Sequence, residues 1–408
     1  NKQKSELNDA LLSSEFGWKA VYFTDNTVLG GYTHLFKFAK DGTVQMASDF
    51  DADTNVYKSE YDIQLGSTVS LTFTTKNRIH LLSESDNYPI PALRAKGYLG
   101  DFQFLYYGQE NGEIVFRTNR NNRELRFVKA TAEDWANLPE NLVMEQNVIG
   151  SAERPLFRLL ETNDGTATHK FDFSFSEVTR FAESNSIESG YSVSYNMGVG
   201  YTPTGIVVSP AVEVGGQKLT DFTYNDEDGS FTATGTSGVT AVIKYTDNPL
   251  VLTDDYKMLL PGQPLAWFGF YQEDYTIDAP TNSPLFFAEL EKMNAALPAG
   301  QSVESVQIYG NSAIGTFIYY TFVGRTPLQH FVTTTEDPTG KKVILKHKSW
   351  NGNTTVATPA FLASFDKYLM DPNGIYVKKE NFKLYYSETV YTFTSSSSPF
   401  RMTTWKLN

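Results

Sequence analysis

The chain has 408 residues, with 34 Lys and Arg against 47 Asp and Glu, and its formal net charge is -13. A chain this acidic lacks the clustered basic residues that hold phosphate backbones or anionic lipids, so we expect no nucleic-acid partner. Cysteine is absent, which excludes disulfides, thiolate metal sites and a thiol nucleophile. The length favours two to three domains.

Residues 1–130 are predicted to form an antiparallel β domain led by a short helix. Leu7, Ala10 and Leu11 recur at helical spacing, and from residue 18 to 128 apolar and polar residues alternate between turn pairs. Roughly eight such runs in chain order predict a meander that curls toward a small barrel. The apolar stripes of these runs comprise Tyr57, Tyr61, Ile63, Leu65, Val69, Leu71, Phe73, Phe102, Phe104, Tyr106, Ile114, Phe116, Leu125 and Phe127.

A helical connector is predicted over residues 131–153. Thr131 followed by Asp134 is typical of a helix N-terminal cap, and Pro139 interrupts the helical pattern. Beyond it, residues 154–408 are predicted to form a larger β-rich region, either one unit or two subdomains that divide near residue 250. The chain as a whole is therefore assigned to the mainly β class.

Within the C-terminal region, alternation predicts strands and one motif predicts a helix. Asp228-Gly229 is predicted to close a hairpin, and Ser283 followed by Pro284 is typical of the start of a helix. The remaining strands are predicted in the segments TFIYYTFV, KKVILKHK, NFKLYYSE and TVYTFTS.

The acidic stretch DFDADTNVYKSE, residues 49–60, has the spacing of a calcium-binding loop. Asp49, Asp51 and Asp53 occupy ligand positions, and Glu60 occupies the last one. The position that requires Gly for a sharp turn holds Thr54 instead, and strands rather than helices flank the stretch. We therefore predict an acidic hairpin loop and no calcium site.

The histidines give no metal or catalytic motif. His34 and His347 lie on apolar strand faces and are predicted to be core or boundary residues, while His80 and His330 lie at strand-like positions without a carboxylate or second His at ligand spacing. Ser312 lacks the spacing of a nucleophile elbow. We predict no metal, no cofactor and no identifiable catalytic residue.

Aromatic residues are abundant, with 24 Tyr and 29 Phe. Such residues either bind sugars or fill the inner faces of a β protein, and the second use is the commoner one. The residues outside the apolar stripes, which are predicted to be exposed, are Trp18, Tyr98, Tyr107 and Trp350.

Several segments together resemble a family of Bacteroidetes cell-surface lipoproteins known as domain of unknown function 4302. They are GWKAVYF, GGYTHLFKFAKDGTVQMASD, SEYDIQLGSTVSLTFTTKNRIHLLSE and GDFQF, followed less clearly by YTPTGIVVSPAVEVGG and DFTYNDEDGSF. The resemblance implies an exported protein anchored at the outer membrane through a lipidated N-terminal Cys and often encoded near nutrient-uptake machinery. Because this sequence has no Cys, that anchor either lies upstream of Asn1 or is absent. It supplies no catalytic residues, but His80 and Asp101 match its recurrent motifs and are candidate ligand-binding residues; both are also candidates for structural roles, and Asp101 after Gly100 is a good turn former.

The leading functional hypothesis is a non-enzymatic surface module that binds a glycan or peptide for an uptake system and meets outer-membrane uptake components. One alternative is a structural or adhesive surface protein. Another is a hydrolase whose carboxylates come together only in the fold.

Overall fold

The computed structural model describes residues 1–151, 153–155, 157–385 and 387–408. Strands make up 44% of the chain and helices 16%, which confirms the mainly β class. The chain divides into two compact units, one formed by residues 1–154 and 158–245 and the other by residues 155–157 and 246–408. Among the described residues, no helix is long and apolar enough to cross a membrane.

The first unit begins with helix α1 (Lys2–Leu12) and a closed barrel of sequential antiparallel strands, as predicted. Pairing of the first strand with the eighth closes the barrel. The strands are β1 (Trp18–Phe23), β2 (Gly31–Phe38), β3 (Thr43–Ser48), β4 (Tyr57–Gln64), β5 (Ser70–Phe73), β6 (Gln103–Glu110), β7 (Glu113–Thr118) and β8 (Glu124–Lys129).

Alternation along the strands fills this barrel with aromatic rings. Phe73 on β5 is fully buried, and its ring centroid lies 5.2 Å from that of Phe36 and 5.9 Å from that of Phe104. The hairpin between β6 and β7 turns at Asn111 and Gly112, whose φ angles are 53° and 79°. Two successive positive φ values are typical of a type I′ turn, in which Asn-Gly is the favoured pair.

The predicted connector is helical, with α2 at Ala132–Ala136 and α3 at Glu140–Ile149. Thr131 and Asp134 cap α2 reciprocally, as their spacing predicted. A nine-stranded antiparallel sheet follows, with strand order β10-β9-β17-β16-β15-β14-β13-β12-β11. Its strands are β9 (Phe157–Asp164), β10 (Thr168–Asp172), β11 (Ser174–Ser176), β12 (Phe181–Asn185), β13 (Ser194–Thr202), β14 (Gly205–Val214), β15 (Gln217–Asn225), β16 (Ser230–Thr234) and β17 (Val239–Thr246).

Within the first unit, the barrel and the nine-stranded sheet approach at backbone distance. A Cβ atom placed on Gly198 of β13 would lie 2.4 Å from the carbonyl oxygen of Leu29, and one on Gly30 would lie 2.3 Å from the carbonyl oxygen of Arg180. Side chains other than hydrogen therefore do not fit at either position.

The second unit contains a second closed barrel, helix α4 (Pro284–Ala296) and the short helix α5 (Ala363–Leu369). The Ser283 hydroxyl accepts a hydrogen bond from the backbone N–H of Phe286, which confirms the predicted cap of α4. The strands are β18 (Ala266–Tyr271), β19 (Ser302–Ser312), β20 (Gly315–Val323), β21 (Arg325–Asp337), β22 (Lys342–Trp350), β23 (Ile375–Lys379), β24 (Thr389–Ser395) and β25 (Arg401–Lys406).

Two predicted strands are wrong. His80 lies in a 3-10 helix, Arg78–Leu82, because the Asn77 side chain caps that turn and draws the segment out of the sheet. The described part of NFKLYYSE, residues 381–385 and 387–388, forms bends rather than a strand, and Tyr386 lies outside the described residues.

Candidate functional site

His80 is held by hydrogen bonds on both sides of its ring. Nδ1 accepts from the backbone N–H of Asn77 at 3.0 Å, so Nε2 carries the hydrogen and donates it to the carbonyl oxygen of Phe73 at 3.0 Å. The ring also stacks on Phe102, with centroids 4.8 Å apart. Partial burial lowers the pKa of His80, which keeps the ring neutral. This geometry joins the 3-10 helix to β5 and uses both ring nitrogens.

Asp101 is buried, with 4% of its surface exposed, and its carboxylate accepts three backbone hydrogen bonds. The donors are the N–H groups of Phe102 and Gln103 next to it, and that of Arg120 at 2.8 Å in the β7–β8 turn. The carboxylate therefore ties the start of β6 to that turn. His80 stacks on Phe102, the residue that follows Asp101 in the chain. The hydrogen-bonding atoms of both side chains bind backbone groups of the protein itself.

The acidic loop is divided between two arginines. Asp49 is fully buried and forms an ion pair with Arg180 at 3.1 Å, while the Asp51 carboxylate pairs with Arg78, and Asp53 lies 3.9 Å from that same guanidinium. Among the described residues, no group of three or more His, Asp or Glu side chains is arranged to hold a metal ion. The calcium-like spacing corresponds to carboxylates that are divided between two arginines, Asp49 with Arg180 and the other two with Arg78.

The aromatic residues predicted to be exposed are divided between surface and core. Tyr107 is 56% exposed, as predicted. The prediction is wrong for Trp18 and Trp350, which are 2% and 0% exposed, because barrel closure covers both indoles. Tyr98 is half-buried and packs edge-on against Phe50, with centroids 4.9 Å apart.

A cleft of about 180 Å³ lies on the outer face of the second barrel, where β23, β24 and β25 meet the segment before the barrel. Alternation on β24 sends Tyr391 and Phe393 into the core and turns Thr392 and Thr394 outward into the cleft. Arg401, the first residue of β25, lies in the same cleft. The outward threonines could be predicted from the alternation in YTFTS, but nothing in the sequence indicated that Arg401 would line the same cleft.

The opposite wall of this cleft is apolar and anchored. Val251 and Leu252 are 44% and 42% exposed at its mouth. The Thr253 hydroxyl next to them donates to the carbonyl oxygen of Val377 on β23 at 3.1 Å, and the Asp255 carboxylate accepts from the backbone N–H of Lys379 at 2.9 Å. These bonds fix the apolar segment over the sheet, so the cleft is preformed.

Arg401 is the most unusual group in the cleft. Its Nε atom is buried and, among the described residues, no hydrogen-bond acceptor contacts it. Its guanidinium carbon lies 5.0 Å from the ring centroid of Phe157. Burial lowers the pKa of this guanidinium, and the charge of Glu380 offsets part of that effect. A buried guanidinium nitrogen without an acceptor is energetically costly for a protein to retain.

The second barrel also holds a buried polar chain that sequence reasoning missed. His330 Nδ1 lies 2.8 Å from an Asp366 carboxylate oxygen that also accepts from the Tyr320 hydroxyl at 2.7 Å. His330 Nε2 lies 2.8 Å from Nδ1 of His347. Sequence spacing did not reveal these neighbours of His330, because barrel closure and α5 bring together residues that lie 17 and 36 positions apart in the chain. His34 is buried as predicted, whereas His347 is exposed.

Two of the solved structures that the chain matches belong to DNA polymerases. The first, DNA polymerase III, beta chain, from Streptococcus pneumoniae TIGR4, is 8% identical, covers 100% of this chain and 97% of that chain, and has a TM-score of 0.16. The second, DNA polymerase sliding clamp from Bacillus subtilis, is 10% identical with coverage of 100% and 97% and a TM-score of 0.17. Scores this low carry no argument about fold or function. A comparison with curated proteins finds no match.

The family comparison is informative for the N-terminal half. The model of the family described as Domain of unknown function (DUF4302) matches residues 1–226, more than half of the 408 residues. The matched segment contains the first barrel, with His80 and Asp101, and ends in the nine-stranded sheet; the His330 chain and, apart from Phe157, the lining of the Arg401 cleft lie beyond it. The predicted assignment to domain of unknown function 4302 is therefore confirmed, and the chain belongs to the DUF4302 family.

Proposed function

We propose that this protein is a non-enzymatic ligand-binding module of a nutrient-uptake system, and that its Arg401 cleft binds an acidic glycan through a sugar carboxylate. The single observation that carries the proposal is the buried, unpartnered Nε of Arg401 in a preformed cleft. A carboxylate is the natural partner of such a group, because it accepts two parallel hydrogen bonds from the guanidinium fork.

The charges around the cleft favour an anion. Its lining includes Arg401, Lys378 and Lys341 against Glu380. Lys341 is already paired with Asp254 at 3.2 Å, which leaves Arg401 and Lys378 as the basic groups available to a ligand. In a chain of net charge -13, this is a local reversal of sign that attracts a negatively charged group.

The remaining walls suit a sugar ring better than a bare inorganic anion. Hydroxyl groups of Thr281, Thr392 and Thr394 line one side, and the ring of Tyr376 and the side chain of Val251 line another. Such a mixture of hydroxyls and apolar surface matches the two kinds of surface that a sugar presents. Because a dry cavity of about 150 Å³ holds benzene, the volume of about 180 Å³ suits one sugar ring.

The family resemblance supports the cellular setting of this proposal. The N-terminal motifs resemble Bacteroidetes surface lipoproteins that are often encoded near uptake machinery, and we propose the same setting here: export, anchorage at the outer membrane through a lipid, and outer-membrane uptake components as partners.

Other functions receive less support from the geometry. Glu380 is the one carboxylate among the described lining residues of the cleft, whereas the usual hydrolysis of glycosides needs a pair. A purely structural or adhesive protein gains nothing from a desolvated arginine without a partner. A peptide with a free carboxyl terminus shares the carboxylate chemistry and is distinguished by experiment.

Isothermal titration with galacturonate and galactose tests the proposal, since the two sugars differ at the carboxylate. We expect galacturonate to bind at least about tenfold more tightly, because a charge-assisted hydrogen bond contributes about 1.5–3 kcal/mol. Arg401→Gln should abolish this preference without lowering the melting temperature. Arg325→Gln is the matched control, because Arg325 also stacks on an aromatic ring, at 4.7 Å from the centroid of Phe361, but does not line the cleft.

Equal affinity for the two sugars, or an unchanged preference in Arg401→Gln, would contradict the proposal. Tighter binding of a short peptide with a free carboxyl terminus than of oligogalacturonate, lost in Arg401→Gln, would retain the carboxylate site and replace the glycan by a peptide.

A further inference from the structure

The polar chain in the second barrel leads from a buried carboxylate to an exposed imidazole. Tyr320 and His330 are 0% and 1% exposed, and Asp366 is 4% exposed. His347, at the other end, is exposed on β22. The chain therefore connects the interior of the barrel to the surface through two imidazole rings.

The direction of each hydrogen bond in this polar chain follows from the Asp366 carboxylate, which acts as an acceptor. Asp366 accepts the hydroxyl hydrogen of Tyr320, and it also accepts from Nδ1 of His330, so that nitrogen carries a hydrogen. When both rings are neutral, Nδ1 of His347 must donate to Nε2 of His330, which leaves Nε2 of His347 as an acceptor. Uptake of one proton by the pair converts that outer nitrogen into a donor.

Two groups that attract a cation contact the His330 ring. The ring of Trp350 stacks on its face, with centroids 4.1 Å apart and planes 16° apart, and the Asp366 carboxylate lies at Nδ1 on its edge. An aromatic face and a carboxylate each attract a positively charged group. Opposing them, Lys346 and Lys367 line the surface cleft beside His347, and their charges disfavour a further positive charge there.

The cleft at His347 has a volume of about 490 Å³ and is mostly apolar. Leu345, Met370 and Pro372 provide apolar walls, and the two lysines lie among them. Asp366 is the one acidic residue among its described lining residues, and it is already engaged by Tyr320 and His330. An apolar cavity with basic groups complements a ligand that has an apolar body and one negative end.

We propose that this cleft binds a small amphipathic monocarboxylate and that the His347–His330 pair takes up a proton when the ligand binds. The ligand carboxylate accepts a hydrogen bond from Nε2 of His347 and neutralises the field of Lys346 and Lys367. Once that field is neutralised, the imidazole pair holds the added proton. The pair then lies between the Asp366 carboxylate and the ligand carboxylate, with the His330 ring stacked on Trp350.

This site is separate from the Arg401 cleft, and the inference does not rest on the proposed function. No lining residue is shared between the two clefts. Loss of binding at one should leave binding at the other unchanged.

Titration calorimetry with hexanoate, in two buffers of different ionisation enthalpy, tests this inference. We expect net proton uptake on binding and, over the pH range in which binding takes up one proton, a loss of affinity of about tenfold per pH unit as the pH rises, as linkage requires. His347→Gln should remove both the proton uptake and the pH dependence. His347 is exposed, so the variant is expected to fold, and an unchanged melting temperature would confirm that.

His169→Gln is the matched control, because His169 also contacts a carboxylate, that of Glu188 at 2.7 Å, but does not line this cleft. It should leave hexanoate binding and proton uptake as in the parent protein. No binding of hexanoate at millimolar concentration, binding without proton uptake, or binding equally affected by the two histidine substitutions would each overturn the inference. Equal affinity for hexanol would do so as well, because hexanol lacks the carboxylate.

Discussion

Substitution of Asp49 by Ala should destabilise the first unit more than any surface change. The Asp49 side chain is 0% exposed, and its ion pair with Arg180 measures 3.1 Å. Its carboxylate also accepts from the backbone N–H of Thr33 at 2.9 Å and from the Asn141 side chain at 3.0 Å. Burial acts to lower the pKa of Arg180, but the interactions with Asp49, Tyr201 and Tyr32 together outweigh it and raise that pKa above its ordinary value.

Removal of one partner of a buried pair leaves the other charge uncompensated, which costs about 3–5 kcal/mol. Arg180 keeps backbone acceptors, including the Gly31 carbonyl at 3.1 Å, and lies between the rings of Tyr32 and Tyr201 at 4.5 and 4.6 Å. These contacts hold the guanidinium in place, so it cannot escape to water. A loss of this size corresponds to a decrease in melting temperature of roughly 6–20 °C for a unit of this length.

A double-mutant cycle, measured by urea unfolding, separates the pair from its neighbours. Arg180→Met should also destabilise, but Asp49→Ala combined with Arg180→Met should be less destabilising than the sum of the two, since no unpaired charge remains. Strict additivity, or a cost below about 1 kcal/mol for Asp49→Ala alone, would refute the reasoning.

Four further predictions follow from buried groups and from the acidic loop. Phe73→Ala should lower the free energy of urea unfolding by about 3–5 kcal/mol, because the Phe73 ring is fully buried. Lys58→Ala, on the outer face of β4, should lower it by less than about 0.5 kcal/mol. Similar values for the two variants would mean that the strand faces are wrongly assigned. Asp101→Ala should destabilise the fold by at least about 1–3 kcal/mol, because it leaves backbone N–H donors without their acceptor. Galacturonate binding should be unchanged in this variant. Lost binding at unchanged stability would instead favour a ligand-binding role for Asp101. Burial lowers the pKa of His34 from 6.5 to about 4. Between these two pH values the unfolded state binds more protons than the folded state, so about 3 kcal/mol of stability should be lost as the pH falls from 6.5 to about 4. His34→Phe should largely remove this loss. Saturating calcium should leave the melting temperature unchanged, because the carboxylates of the loop are paired with Arg78 and Arg180. A calcium-dependent increase in melting temperature that Asp51→Ala abolishes would contradict this prediction.

Strand positions in the first barrel could be predicted because their signals are local. The alternation through Tyr61 and Ile63 and the Asn111-Gly112 turn depend on neighbouring residues, so the eight-stranded meander followed from the sequence. His80 was misplaced because a side-chain cap from Asn77 overrode the apolar pattern.

The sites were harder to predict because their residues meet only in three dimensions. Asp366 reaches His330 from a helix 36 residues away, and Arg401 meets Phe157 from an even greater distance along the chain. The burial of Trp350 likewise depends on barrel closure, which no single strand reveals. Spacing rules detect ligands carried on one element, and these clusters are distributed over several.

A crystal structure of the protein soaked with galacturonate tests the central claim most directly. We expect the sugar ring between Tyr376 and the outward threonines of β24, with its carboxylate within hydrogen-bonding distance of the Arg401 guanidinium. An empty Arg401 cleft at saturating galacturonate, or a sugar bound with its carboxylate directed away from Arg401, would contradict the account.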